Sequence, residues 1–295
     1  MAMAAQFEIR CTHPDEHYAG QAARAAFEAV DRLEQQLSRF VENSDISRVN
    51  HLSAGEETKV GYETMECLRL ARLAWEQTGG AFDVSIGTGF ERLELIPTQF
   101  VVRARAQRLE APTLGPSDPR TFGLSDLRLD LGAIGKGYTV DRIADVLEDW
   151  DVDQVLIDAG YSSVLALEPP SGDDAWPLTL SVPGDASGAV LVRIAARQHA
   201  LGASGIVKGD HIRDPRTQTP VRARQAAWVY APRQVLGEIT RASGVGASPA
   251  ALADALSTAF MIMSGDEIDR YCHEHPGVEA WVIEGGLTHF FCQSP

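Results

Sequence analysis

A chain of 295 residues with 44% hydrophobic and 23% charged side chains is long enough for a substantial core and ordinary in make-up for a globular enzyme. Its formal net charge of −15 argues against nucleic acid or an anionic membrane surface as main partner, but not against a small phosphate-bearing ligand in a local pocket. Cys11, Cys67, Cys272 and Cys292 form no CxxC pair, and MAMAAQFEIRC carries neither a basic region nor a long apolar run, so a reducing, cytoplasmic setting without membrane insertion is expected.

Phe7–Cys11 reads as a first strand and Gln21–Phe40 as a helix with Phe27, Val30, Leu33 and Leu37 on one stripe. Within Leu37–Asn50, Ser44 followed by Asp45 predicts a turn and a short capped helical segment. Thr64–Thr78 reads as a second helix, with Leu68, Ala71 and Trp75 on one face, stopped by Gly79 and Gly80. Gly80–Phe90, GAFDVSIGTGF, reads as a short strand in which Asp83 lies between apolar neighbours. Such an acid needs a partner, so Asp83 is either a structural cap or a ligand contact. Phe100–Thr121, with Arg103, Arg105 and Arg108 close together, reads as surface.

Leu129–Trp150, LDLGAIGKGYTVDRIADVLEDW, opens as an alternating strand, breaks at Gly132, Gly135 and Gly137, and becomes an amphipathic helix through Val140, Ile143, Val146, Leu147 and Trp150. Glycines let backbone N–H groups approach a ligand closely, and a helix N-terminus adds partial positive charge. Lys136 in the turn can reach a phosphate, and Asp130 can hydrogen-bond a ribose hydroxyl or a base. A tight turn with a solvated lysine accounts for the same residues. GxGxxG is absent, as is GK followed by Ser or Thr, so the stretch is neither a Rossmann nor a P-loop signature. With the strand Val155–Ile157 after it, the helix reads as the αβ half of a crossover unit.

Short strands are predicted at Val164–Leu167, Leu178–Val182 and Val190–Ile194, then a polar loop His211–Pro220, a strand Ala227–Tyr230 and a partly helical loop Ala231–Ala247. Ser248–Met263 reads as a helix with Ser248 as N-cap, Pro249 at the first position and Leu252, Leu256, Ala259, Phe260 and Met263 toward the core. Asp254, Ser257 and Thr258 are three and four apart and share a face. A carboxylate and a hydroxyl one turn apart suit a hard cation such as Mg²⁺. Local pairing of Asp254, with Thr258 bonding back to its carbonyl, suits them as well. Val278–Ile283, Gly285-Gly286 and Leu287–Phe291 close the chain as a hairpin. No HExxH motif occurs and no histidine pair reads as a metal ligand set, His273 and His275 read as exposed, and Ser204 in GASG lacks the surroundings of a nucleophile elbow.

Taken in order, AMAAQFEI (Ala2–Ile9), LSRFVENSDISRVN, GAFDVSIG, LDLGAIGKGYTVDRIADVL, HIRDPRTQTP and LADALSTAF resemble the motifs of the ApbE family of FAD:protein FMN transferases, from the first strand to about Met263. The resemblance implies an α+β fold, a single domain over residues 1–295 with mixed sheets packed by helices. It implies cleavage of the FAD pyrophosphate, transfer of FMN to a threonine hydroxyl in the flavinylation motif of an acceptor protein, and release of AMP, with Mg²⁺ assisting. By the same resemblance Ala133 (through its carbonyl), Asp254, Ser257 and Thr258 match the metal positions. Met3, Phe40, Ala81, Phe82, Asp83, Asp130, Lys136 and Ile212 match flavin-nucleotide contacts, Asp130 toward the adenine and Lys136 toward the ribose or phosphate. His211 is the candidate to assist removal of the acceptor's proton.

The chain departs from the family pattern in four places. The segment from Ser204-Gly205 to His211 is short, and Gln218 stands where a glycine usually follows DPRT. Gly160-Tyr161-Ser162 replaces Gly-Gly-Asn, and Ala231–Ala247 is long. Two other outcomes therefore accompany the expectation of transfer: an FAD pyrophosphatase giving FMN and AMP, and a non-catalytic FAD-binding module.

Overall fold

The computed structural model describes residues 5–85, 89–105, 128–182, 189–206 and 212–292. The chain opens with β1 (Phe7–Cys11) and α1 (Glu16–Leu37). The helix starts earlier than its apolar pattern predicts because Asp15 accepts the Tyr18 N–H at 3.0 Å and caps a polar first turn. Its buried face is largely alanine (Ala19, Ala22, Ala26, Ala29), continued by Val30, Leu33 and Leu37. Phe27, expected on that stripe, is 40% exposed, because the small-residue face is the one turned inward. α2 (Asp45–Asn50) forms as predicted, with Ser44 Oγ accepting the Ser47 N–H at 2.9 Å.

β2 (Glu57–Lys59), α3 (Tyr62–Gln77), β3 (Leu93–Ile96) and β4 (Val101–Ala104) follow, the strands pairing in the order β2-β4-β3. The arginine-rich stretch expected to be all surface is in part β4. Val101, Val102 and Ala104 are buried, while Arg103 turns out to Glu57 and Glu94 at 2.6 and 3.2 Å. The expected strand at Gly80–Phe90 is instead a turn over its described part. Gly79 and Gly80 adopt φ of 57° and 80°, a region open to glycine, and Thr78 Oγ1 accepts the Phe82 N–H at 3.0 Å. Ala81 and Phe82 are thereby tucked into the core. Leu129–Leu131 is likewise not a strand. The Asn50 amide brackets Leu129 from both sides, its Oδ1 2.6 Å from Leu129 N and its Nδ2 3.1 Å from Leu129 O.

α4 (Gly135–Asp149) leads to β5 (Val155–Ala159), β6 (Ser163–Ala166), β7 (Trp176–Ser181), β8 (Val190–Ala196), β9 (His199–Gly205) and β10 (Arg224–Pro232). α5 (Arg233–Ala242), α6 (Pro249–Phe260), α7 (Gly265–Glu274), β11 (Glu279–Glu284) and β12 (Leu287–Phe291) complete the chain. A seven-stranded sheet runs β1-β5-β6-β9-β10-β11-β12, and β7 and β8 form a separate two-stranded sheet. The class is α+β, as expected. The sheets, however, are antiparallel at each described pairing rather than mixed, and β5 is no crossover strand. Gly160 and Tyr161, at φ of 65° and 58°, reverse the chain directly from β5 into β6.

Alternation along β10 sorts the sheet's two faces. Ala227, Val229 and Ala231 join the main core with α4 and α6, whereas Ala226, Trp228 and Tyr230 join a smaller core roofed by β7 and β8. Phe260 on α6 is fully buried, which stabilises the fold by roughly 2–3 kcal/mol.

Candidate functional site

The site is built where α4 and α6 meet above β9. Two glycines allow that approach. A Cβ on Gly137 would lie 2.3 Å from the Ala250 carbonyl oxygen, and one on Gly202 of β9 would lie 2.1 Å from that of Ala253. Backbone therefore packs on backbone at both places, which only glycine permits.

Side chains from other elements cap α6 at both ends. The N–H groups of Ala250 and Ala251 each donate to the Asp141 carboxylate at 2.9 Å. Ser248, the expected cap, holds the N-cap position but makes no side-chain capping bond, because Asp141 takes both donors. Burial pushes the Asp141 carboxyl up to about 7, with Arg142 and the two N–H donors pulling the other way. At the far end Arg224 Nη1 donates to the carbonyls of Phe260, at 2.6 Å, and Met263. Behind α4, the buried Glu66 carboxylate accepts from Tyr138 Oη, Arg142 Nη1 and Gly246 N at 3.1, 3.2 and 3.1 Å.

So held, α6 presents Asp254, which is 1% exposed. Its Oδ2 accepts from Lys136 Nζ at 3.3 Å and from Gly137 N at 3.2 Å, and Lys136 Nζ also donates to the Gly132 carbonyl at 3.0 Å. In a regular helix the Gly137 N–H would bond the carbonyl of Ala133. Here it turns to Asp254, and among the described residues no hydrogen bond reaches that carbonyl. One turn along, Ser204 Oγ on β9 lies 2.9 Å from Ser257 Oγ and 2.8 Å from Thr258 Oγ1. Ser257 Oγ donates to the Asp254 carbonyl at 2.8 Å, and Thr258 Oγ1 reaches the same oxygen at 3.5 Å. The local back-bonding expected of this helix face is present, and the hydroxyls it holds gather with Ser204 at the Asp254 backbone carbonyl. The donor set is a carboxylate, a carbonyl without a partner and hydroxyls. It is all hard oxygen, and it fits Mg²⁺.

Asp130, at the other side of the glycine turn, accepts the Gly132 N–H at 2.8 Å and pairs with Arg39 Nε at 2.9 Å. Arg39 in turn lies over the ring of Phe40, 4.2 Å from its centroid, and Phe40 is 79% exposed. Asp83 accepts the Ser85 N–H at 2.7 Å, and burial raises its pKa against that bond. Asp83 is thus a local cap with a desolvated carboxyl. Ala81, Phe82 and Ile212 are buried, so what the first two can offer a ligand is backbone. Met3 and His211 lie outside the described residues. The structure joins Lys136 with Asp254, Ser257 and Thr258, and separately joins Phe40 with Asp130 through Arg39.

Sequence reasoning missed Ser204, Asp141, Gly202 and Arg39. A signal existed for Ser204: on a strand it faces the same way as Gly202, two positions earlier, and a strand glycine marks a close backbone approach. Nothing local marked Asp141 as the cap of a helix more than a hundred residues later.

An antiparallel α+β fold here brings a lysine-bearing glycine turn against a buried carboxylate and a hydroxyl cluster. The chain belongs to the ApbE family, whose sequence model matches residues 3–242. Asp254, Ser257 and Thr258 lie beyond that match. The chain is 26% identical over 220 residues to the FAD:protein FMN transferase of Vibrio cholerae serotype O1, covering 66% of this chain and 64% of that protein. It is 24% identical to the FAD:protein FMN transferase of Treponema pallidum over 295 residues, covering 89% and 76%. The chain thus spans slightly under two thirds of the Vibrio relative. In fold it is similar to a mutant of the flavin transferase ApbE from Vibrio cholerae, with TM-score 0.76, 17% identity and coverage of 100% and 95%. It is also similar to the ApbE protein of Thermotoga maritima, with TM-score 0.75, 21% identity and coverage of 99% and 95%.

Proposed function

We propose that this chain is an FAD:protein FMN transferase, moving FMN from FAD to a threonine hydroxyl of an acceptor protein with release of AMP. Family membership and the names of its relatives support the reaction class. The observation that carries the reading in this chain is the Lys136–Asp254 pair, at 3.3 Å, whose carboxylate also accepts the Gly137 N–H at 3.2 Å.

Asp254, Thr258, Ser257 and the Ala133 carbonyl would hold Mg²⁺. When bound, the ion neutralises charge on the pyrophosphate and polarises its oxygens. Lys136 supplies a second positive charge at the glycine turn, and its ammonium compensates the buried carboxylate in the unliganded protein. Asp130, steadied by Arg39, offers an acceptor to the adenine. Phe40 offers an exposed aromatic face for stacking. Met3, Ala81, Phe82, Asp83 and Ile212 complete the proposed flavin-nucleotide contacts. His211 would take the proton from the acceptor hydroxyl as it attacks phosphorus, leaving AMP with the electron pair of the broken P–O bond.

No helix among the described residues is long and apolar enough to cross a membrane. The four cysteines are free thiols, which suits the reducing cytoplasm we propose as its compartment. Incubation with FAD and Mg²⁺, with and without a threonine-bearing acceptor protein, tests the reading through AMP release. AMP formed only with acceptor, together with FMN bound covalently to it, is the expected result. AMP formed equally without acceptor would make the protein an FAD pyrophosphatase, and binding without AMP would make it an FAD-binding module.

A further inference from the structure

A second cluster of ligating side chains lies away from α6, between α7 and the end of β12. Asp269 and His273 are one turn apart on α7, and the hairpin of β11 and β12 returns Cys292 to their side. One oxygen, one nitrogen and one sulfur from these three residues all lie within 4.8 Å of one another. His273 Nδ1 is 3.4 Å from Cys292 Sγ and 3.5 Å from Asp269 Oδ2. Metal–ligand bonds of 2.0–2.3 Å in a tetrahedron set neighbouring ligand atoms roughly 3.3–3.7 Å apart. Both distances fall in that range.

We infer that Asp269, His273 and Cys292 form a site for a divalent transition metal of the zinc type. A thiolate, an imidazole nitrogen and a carboxylate are the donor set that suits Zn²⁺ and disfavours Mg²⁺ or Ca²⁺, which take oxygen throughout. Nδ1 also lies 2.8 Å from the Asp269 carbonyl, to which its N–H donates, so metal binding requires the ring to turn from that carbonyl and give up the proton. The metal replaces that proton and takes water as its fourth ligand. Asp269 and His273 are exposed and Cys292 is half-buried, so an ion has direct access. β12 is an edge strand with an exposed face, and the site ties the residue that follows it, Cys292, to α7. The chemistry is therefore that of a structural clip, separate from the oxygen cluster at Asp254. Cys272, buried on α7, lies beside Cys292. It serves as neighbour rather than ligand.

Co²⁺ titration of the full chain, stripped of metal by chelation and freshly reduced, tests the site. The expected result is one bound Co²⁺ with thiolate-to-cobalt charge-transfer absorption, displaced by Zn²⁺, and a higher melting temperature in Zn²⁺. That absorption should persist in Asp254→Asn and Cys272→Ser and disappear in Cys292→Ser and His273→Gln, variants at solvent-accessible positions that keep the fold. Absence of the charge-transfer band in the reduced wild-type chain would overturn the inference. So would a band that survives Cys292→Ser, or one lost in Cys272→Ser, which would make the pair of thiols the site.

Discussion

Lys136 and Asp254, separated by 118 positions in sequence, meet at 3.3 Å with side chains only 18% and 2% exposed. The lysine is therefore not a solvated turn residue. It is the charge partner of a carboxylate that would otherwise stand nearly alone in the core, with one backbone N–H to help it. Lys136→Ala should consequently do two things. It should weaken FAD binding by about 1.5–3 kcal/mol, the value of a charge-assisted contact. It should also destabilise the unliganded fold by up to about 3 kcal/mol, the low end for breaking a buried pair, because Gly137 still donates to Asp254. Chemical denaturation and FAD titration read the two effects separately. The double variant Lys136→Met with Asp254→Asn should be less destabilised than the sum of the singles.

Gly202→Ala should displace α6 from β9. Its new methyl would meet the Ala253 carbonyl carbon at 2.3 Å and Asp254 N at 2.7 Å, contacts that no rotamer relieves. Overpacking of this kind costs roughly 1–3 kcal/mol. Because the backbone that moves carries Asp254, AMP release should fall further than the loss of folded protein explains. Equal falls in folded fraction and in turnover would separate the helix position from the chemistry.

Ser204→Ala removes the hydroxyl shared by Ser257 and Thr258. Both can still bond back to the Asp254 carbonyl, so stability should change by only about 1 kcal/mol. The Mg²⁺ concentration needed for half-maximal AMP release should rise, since Thr258 is then free to turn away. An unchanged Mg²⁺ dependence would show that Ser204 does not orient these oxygens.

Asp141 gives stability a pH dependence of definite sign. Its carboxyl is raised from an ordinary 3.8 to about 7 by burial, so between those values the unfolded chain binds fewer protons than the folded one. The protonated group's contribution is complete below about pH 4 and is lost as pH rises through about 7. The wild type should accordingly lose stability relative to Asp141→Asn across that window. Urea midpoints at pH 5 and pH 8 for the two proteins check it, and a difference that stays constant would contradict the raised pKa.

Much of this fold could be read ahead because local chemistry carried it. Ser44 caps α2, Gly79 and Gly80 stop the second helix, and the Gly285-Gly286 turn joins β11 to β12. The oxygen face of α6 followed from the spacing of Asp254, Ser257 and Thr258 alone. What stayed hidden depends on distant partners. Phe27 was assigned inward because its size outweighed the alanines that in fact face the core. Asp83 and its neighbours looked like a strand because the Thr78 bond that folds them into a turn leaves no period in the sequence. The antiparallel place of β5 was not visible because α4 followed by a strand reads the same whether or not the next strand runs parallel. Cys292 and His273, far apart along the chain, gave no spacing signal at all and meet only through the final hairpin.

The most direct measurement is AMP release from FAD, with acceptor present, as a function of Mg²⁺ for the wild type and for Asp254→Asn, each corrected for folded fraction. Asp254 supplies the single carboxylate of the proposed ion site, so the wild type should show saturable Mg²⁺ dependence. Asp254→Asn should release essentially no AMP at any Mg²⁺ concentration, and Thr258→Ala should fall between the two. Normal Mg²⁺-dependent turnover in folded Asp254→Asn would remove the ion from α6 and leave Asp254 only as the partner of Lys136.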